Sequence, residues 1–211
     1  MDDGHGANPR FAESYMRVSA KAEGRGVATH RRLLLKGLAG SVCEVGAGHG
    51  LNFAHYPATV TRVIAIEPEP TLRARAAQVA VSAPVPVEVL DGLAAGIPLD
   101  DGHCDAVVLS LVLCSVPDLG AALAEVRRVL RPGGELRFYE HVRSKLGVIG
   151  FAEDVATPLW SRLAGGCHLN RDPVEEIANS GFVITEVDRF GFSPQRGLPA
   201  TAHVLGRASR L

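Results

Sequence analysis

Three glycines and one carboxylate carry the clearest chemistry in this chain. In VCEVGAGHG (42–50), Gly46, Gly48 and Gly50 follow the short apolar run Val42–Val45 and let the main chain turn tightly against a ligand that side chains would strike. TRVIAIE (61–67) reads as a second buried strand ending in Glu67. The interval 67 − 46 = 21 residues is the spacing at which an acid after strand two meets ribose hydroxyls over the first turn. Together they imply a nucleoside-bearing ligand. A dinucleotide fingerprint, G-x-G-x-x-G, would need glycine where Leu51 stands, which disfavours a nicotinamide-dependent oxidoreductase. A noncatalytic nucleoside-binding protein of the same fold is the other alternative. Downstream, His141 follows an apolar strand-like segment and Cys114 follows another, so an imidazole and a thiol are available near strand ends.

The elements that must position these groups alternate along the chain. Strands are expected at 41–45, 61–66, 85–90, 105–111, 135–141, 182–188 and 202–208. Helices are expected at 10–20, 25–37, 70–81, 119–130 and 172–181, with Pro132-Gly133-Gly134 ending the fourth. DAVVLSL (105–111), apolar on both faces, reads as a central strand. Residues 142–171 form the least regular stretch and read as a substrate cover, and FSPQRGLP (192–199) reads as a loop. The basic cluster Arg31, Arg32 and Lys36 reads as a solvated helix face.

This pattern gives an α/β fold: a Rossmann-like doubly wound sheet of seven strands, mostly parallel with an antiparallel C-terminal strand, and helices on both faces. A chain of 211 residues suits one domain and should bury roughly 70% of its unfolded surface. Within that domain, 1–40 form an N-terminal helical cover, 41–141 the cofactor-binding core, 142–171 the substrate cover and 172–211 a C-terminal helix and strands. With a formal net charge of −1, the composition gives no broad electrostatic reason to bind nucleic acid or an anionic membrane. The longest apolar run, VVLSLVLCSV (107–116), is too short to span a bilayer, and the N-terminus reads as no secretory signal; a cytoplasmic protein is expected. The four cysteines include no C-x-x-C pair, so neither a metal site nor a disulfide framework is expected.

EVGAGHG, the acid of IEPEP, IPLDDGHCDAVV and VRRVLRPGGEL together resemble the methyltransferase type 11 group of class I S-adenosylmethionine-dependent enzymes. LVLCSV (111–116), EHV (140–142) and GGCHL (165–169) further resemble the methyltransferase-like protein 7 branch, whose described members methylate thiols; a counterpart of their membrane-anchoring N-terminal helix is not expected here. The resemblance implies S-adenosyl-L-methionine as cofactor, with Gly46, Ala47, Gly48 and Gly50 bordering its methionine moiety and Glu44 stabilising that arrangement near its amino group. It also implies that Glu67 holds the ribose, that Pro68 packs near the adenine, and that Ser110 and Leu111 line the methionine end. Tyr15 lies in a segment that relatives fold over the cofactor. Where many relatives read adenine with an Asp, this chain has Leu93 in GLAAGIP; either Asp91 substitutes, or backbone groups around Gly92, Leu93 and Ala94 read the base.

Methyl transfer from a sulfonium expels a neutral thioether, so the leaving group needs no acid and geometry supplies most of the rate. A base is required only for an acceptor that is protonated at working pH. His141 is the expected base, with Cys114, Trp160 and His168 as contacts for a small-molecule acceptor, a thiol among the options. The acceptor atom and the oligomeric state stay open.

Overall fold

The computed structural model describes residues 8–163, 165–193 and 200–211. Of the expected loop at 192–199, residues 194–199 lie outside the described residues.

Helix starts follow a repeated local rule. Asn8-Pro9, Glu69-Pro70 and Asp172-Pro173 each place a side-chain acceptor before a proline, and the acceptors take the amides of Phe11, Leu72 and Val174 in turn. Proline at the first helical position loses an amide that would have had no partner, while the capping oxygen satisfies one that would. These caps open α1 (Pro9–Ala22), α3 (Pro70–Ala80) and α6 (Pro173–Asn179). Asp118 does the same for α4 (Leu119–Val129) without a following proline. A π-helical turn (Glu23–Val27), kinked at Gly26, joins α1 to α2 (Ala28–Leu35). Arg137 closes α2 by donating to the carbonyls of Leu34 and Lys36, both at 3.1 Å.

Seven strands form one sheet: β1 (Gly40–Val45), β2 (Val60–Ile66), β3 (Val87–Leu90), β4 (Cys104–Ser110), β5 (Leu130–His141), β6 (Phe182–Phe192) and β7 (Thr201–Arg210). Their order is β3-β2-β1-β4-β5-β7-β6, with β1 to β5 mutually parallel and β7 antiparallel to both neighbours. Side-chain alternation splits the core in two. Cys43, Val45, Ile64, Ile66, Val107 and Leu109 point to the face covered by Leu123 and Val126 of α4 and Ile177 of α6. Val42, Val63, Ala65, Ala106 and Val108 point to the other face, under Leu34 and Leu35 of α2 and Ala76 of α3.

The stretch expected to be irregular is the largest departure: α5 (Gly147–Leu163) is a 17-residue helix with Pro158 inside it. Arg143 and Asp154 pair at 2.8 Å, and the Glu153 carboxylate accepts the Ser144 amide, tying its first turns to the segment after β5. The expected helix over 25–37 divides at Gly26 and ends at Leu35, and β5 begins at Leu130, before the proline and glycines expected to precede it. Among the described residues no helix is long and apolar enough to cross a membrane.

Candidate active site

The sheet order reverses direction between β1 and β4, and ligands of such sheets bind past the C-terminal strand ends at that point. The glycine turn leaves β1 there. The amides of Gly46 and Ala47 both donate to the Ile66 carbonyl, at 2.8 and 3.1 Å, so the turn is sewn to the end of β2. At Gly46 the backbone has φ 69° and a Cβ would come within 2.6 Å of Val112, so only glycine fits between the turn and the loop after β4.

Glu67 closes this turn from the other side. One carboxylate oxygen accepts the Gly48 amide at 2.7 Å and the other the Glu69 amide at 2.9 Å. Burial raises its pKa against the opposing pull of those two amides. Each oxygen keeps a second lone pair. Beside it, Glu69 caps α3 through one oxygen, while its other oxygen, Oε1, is buried without a partner; the residue lines the main cavity.

Glu44 is buried beneath the turn, accepting from the Asn52 amide at 2.9 Å and the Tyr56 hydroxyl at 2.7 Å. Desolvation raises its pKa to about 7, against the lowering effect of these two bonds and of Arg31. Arg31 is the unexpected member of the site. It is only 6% exposed, pairs with Glu23 at 2.8 Å, and donates to Asn52 Oδ1 at 2.9 Å and Ser110 Oγ at 3.3 Å. Arg31 thus leaves the solvated face on which the basic cluster places it. The signal was present in the spacing: Arg31, Leu34, Leu35 and Leu38 follow the i, i+3, i+4, i+7 pattern of one helix face, and all four are buried.

A cavity of about 850 Å³ lies against these groups. Tyr15, Arg31, Pro68, Glu69, Leu111, Cys114, Tyr139, His141, Trp160, Cys167 and His203 are among its walls. A small polar recess of about 10 Å³ adjoins it, lined by Glu44, Gly46, Ala47, Ser110 and His49 together with Tyr15 and Arg31. His49 Nδ1 is buried there without a partner. The Tyr15 ring meets the His49 ring edge-on at 5.8 Å, which lays α1 over the glycine turn. Gly48, Gly50, Glu67, Gly92, Leu93 and Ala94 line neither space. Gly92 is held against Ile66 and Pro98, and Leu93 bridges to Gly96 in a tight turn. Asp91 is exposed and bonded to Arg73, which also holds the carbonyls of Glu67 and Pro68, so its carboxylate points to α3.

The far wall is built by two loops. Leu111, with φ 62°, turns the chain out of β4, and the Glu140 carboxylate then accepts three successive amides, those of Val112, Leu113 and Cys114. Glu140 is fully buried, and desolvation raises its pKa to about 7 despite these bonds. The second loop locks to the first: the His168 amide donates to the Cys114 carbonyl at 2.7 Å, and Arg171 donates to the carbonyls of Leu113 and Val116. At Gly166, where φ is 88°, a Cβ would lie 2.8 Å from the Ser115 carbonyl oxygen.

This arrangement gathers three groups far apart in sequence. His141 Nδ1 stands 3.5 Å from Cys167 Sγ and 3.9 Å from Cys114 Sγ. The hydrogen bond from Cys114 pulls the Cys167 thiol below its ordinary range, helped by His141 and by the Trp160 indole; the Cys114 thiol is pushed well up as the group that keeps the shared proton. The expected acceptor contacts Cys114 and Trp160 line the cavity, but at the second loop it is Cys167, not the expected His168, that does. His168 Nδ1 is buried without a partner. Linear spacing offered no trace of the cluster because its members come from the loop after β4, the end of β5 and the loop before α6.

A mostly parallel sheet with this order, a glycine turn at its switch point and a roomy cavity beyond are the layout of a nucleoside-cofactor-binding α/β fold. Residues 43–138 match the methyltransferase domain family. The chain is 35% identical over 189 residues to the human thiol S-methyltransferase TMT1B, covering 82% of this chain and 74% of that protein. Among solved structures, a SAM-dependent methyltransferase from Thermotoga maritima superposes with a TM-score of 0.71 at 22% identity, covering 96% of this chain and 97% of the other. A geranyl diphosphate methyltransferase solved in complex with SAM superposes with a TM-score of 0.66 at 15% identity, over 87% and 85%. The chain belongs to the S-adenosylmethionine-dependent methyltransferase family, with thiol S-methyltransferases among its homologues. Neither the nicotinamide-dependent nor the noncatalytic alternative finds support.

Proposed function

We propose that this methyltransferase acts on a small-molecule thiol that enters the 850 Å³ cavity and meets the Cys114, His141 and Cys167 wall. The observation that carries the reading is this pairing of an apolar cavity with an imidazole whose Nδ1 already sits at sulfur-contact distance, 3.5 Å from Cys167. The identity with TMT1B supports it. The cofactor, when bound, supplies a methyl group on a sulfonium whose departing thioether is neutral.

The residues present fit such a cofactor. Glu69 Oε1, buried and unpartnered at the cavity wall, offers an acceptor to a hydroxyl. Glu67 keeps the turn in shape and retains lone pairs for ribose. Arg31 presents a positive charge and Glu44 a carboxyl group to a zwitterionic amino-acid end, with Gly46, Ala47 and Ser110 beside them. Tyr15 covers this end, and Trp160 shields the acceptor side from solvent. His141 takes the acceptor's proton. Holding nucleophile and methyl carbon in alignment removes roughly 7–11 kcal/mol of barrier, so no larger catalytic constellation is required. The four free cysteines support a reducing, cytoplasmic setting.

The test is turnover with S-adenosylmethionine and one acceptor at a time: 2-mercaptoethanol, a phenol and a primary amine, each followed by S-adenosylhomocysteine release. Methylation of the thiol alone is expected. Turnover of the phenol or amine with none of the thiol rejects the reading.

A further inference from the structure

We infer that Cys114, His141 and Cys167 form a zinc-class metal site whose fourth position opens into the cavity and takes the acceptor thiol as a thiolate. The inference rests on the thiol reading for its fourth ligand only; the three protein ligands stand on geometry.

One ligand atom from each residue lies within 4.8 Å of the other two. A four-coordinate zinc ion has Zn–S near 2.3 Å and Zn–N near 2.0–2.1 Å, which at tetrahedral angles puts sulfur and nitrogen about 3.6 Å apart. The observed separations of Nδ1 from the two sulfurs, 3.5 and 3.9 Å, bracket that value. For the two nitrogen–sulfur pairs, closing on an ion needs shifts of only a few tenths of an ångström. Two thiolates and an imidazole are also the donor set that selects a soft divalent cation over magnesium or calcium.

The ligands are held as metal ligands must be, by groups that do nothing else visible. Three amides on the Glu140 carboxylate fix the Cys114 loop. Gly166 seats the Cys167 loop against Ser115, and the His168 amide bonds the Cys114 carbonyl. LVLCSV, EHV and GGCHL, the segments that carry the resemblance to the thiol-methylating branch, are the segments that deliver the three ligands. Three protein ligands and an open position facing a cavity make a catalytic rather than a structural site.

Such a site balances chemically with the methyl transfer. The acceptor R–SH binds as R–S⁻ and releases its proton to solvent; with Nδ1 on the ion, His141 serves as ligand in the loaded chain, and its role as base belongs to the metal-free reading. A sulfur lone pair then forms the new C–S bond while the methyl–sulfonium bond breaks toward the departing thioether. The neutral product R–S–CH₃ is a poor ligand and leaves the ion.

Purified chain is equilibrated with zinc against a chromophoric chelator, and separately with cobalt(II). One equivalent of zinc is expected, along with a cobalt spectrum showing sulfur charge transfer that 2-mercaptoethanol shifts. Cys114→Ala and Cys167→Ala should each weaken zinc binding at least tenfold, with melting curves confirming that they fold. No uptake by the wild-type chain, or undiminished uptake by the double variant, overturns the site irrespective of any folding defect. A cobalt spectrum indifferent to the thiol overturns the acceptor role. Thiol methylation that persists in zinc-free protein also overturns the inference while leaving the proposed function standing. Phenol or amine turnover with none of the thiol, by a zinc-loaded chain, keeps the three-ligand site, rejects the thiol reading and overturns the acceptor role.

Discussion

At two buried glutamates of the site, Glu44 and Glu140, burial outweighs the neighbours that donate to them. Glu44 sits in a fully enclosed position, and its pKa of about 7 exceeds the ordinary glutamate value because desolvation outweighs the bonds from Tyr56 and Asn52. The folded chain therefore holds this proton more tightly than the unfolded chain. Stability from that difference is fully present below the unfolded value of about 4.3 and is lost as pH rises through about 7. Glu44→Gln mimics the protonated acid, so the variant and wild type should be about equally stable to urea at pH 4. At pH 8 the variant should be more stable by on the order of 3 kcal/mol. A stability difference that does not change between these pH values would show that folding does not raise the Glu44 pKa. The sequence made Glu44 legible because it stands directly before the glycine turn. It left Arg31 misread, since the partners that draw it inward, Glu23, Asn52 and Ser110, sit on other elements.

At the level of elements, what could be read was what repeats with a period and is buried. The parallel strands β1, β2 and β4 are apolar on both faces and bounded by turn residues, so sequence and structure agree within a residue or so at their ends. α5 failed that test for a physical reason. Val148, Phe151, Val155 and Leu159 face solvent, so its apolar residues do not mark a core-facing stripe, and Pro158 lowers its helix propensity. The cysteine loops were equally invisible, because their meeting depends on contacts between distant segments, such as those of Arg171 with Leu113 and Val116, 58 and 55 residues away in sequence. Gly166 is where that meeting is most exposed to a single change. Gly166→Ala combines a left-handed backbone with a 2.8 Å approach of Cβ to the Ser115 carbonyl, and should cost about 2–4 kcal/mol in urea unfolding. Because the strain separates the loops, alkylation of Cys167 by iodoacetamide should quicken as well. Unchanged stability and unchanged reactivity would mean that the loops yield without cost.

The whole molecule joins these loops and the glycine turn through one sheet, so occupancy of the site should register as global stability. Glu67, the turn after β1 and the N-cap of α3 are linked through shared backbone bonds, and α1 reaches over them through Tyr15. A ligand that engages this network only in the folded state adds RT ln(1 + [L]/Kd), about 2.7 kcal/mol at a hundredfold excess over Kd. For a chain of 211 residues that corresponds to a rise in melting temperature of about 5–10 °C. S-adenosylmethionine and S-adenosylhomocysteine should both produce it, whereas NADH should not, because Leu51 replaces the glycine that a pyrophosphate-binding turn needs. Glu67→Ala should abolish most of the shift, since it removes the clamp on Gly48 and, on the reading proposed above, the acceptor for ribose. If the variant melts like the wild type with and without cofactor, Glu67 has no part in binding.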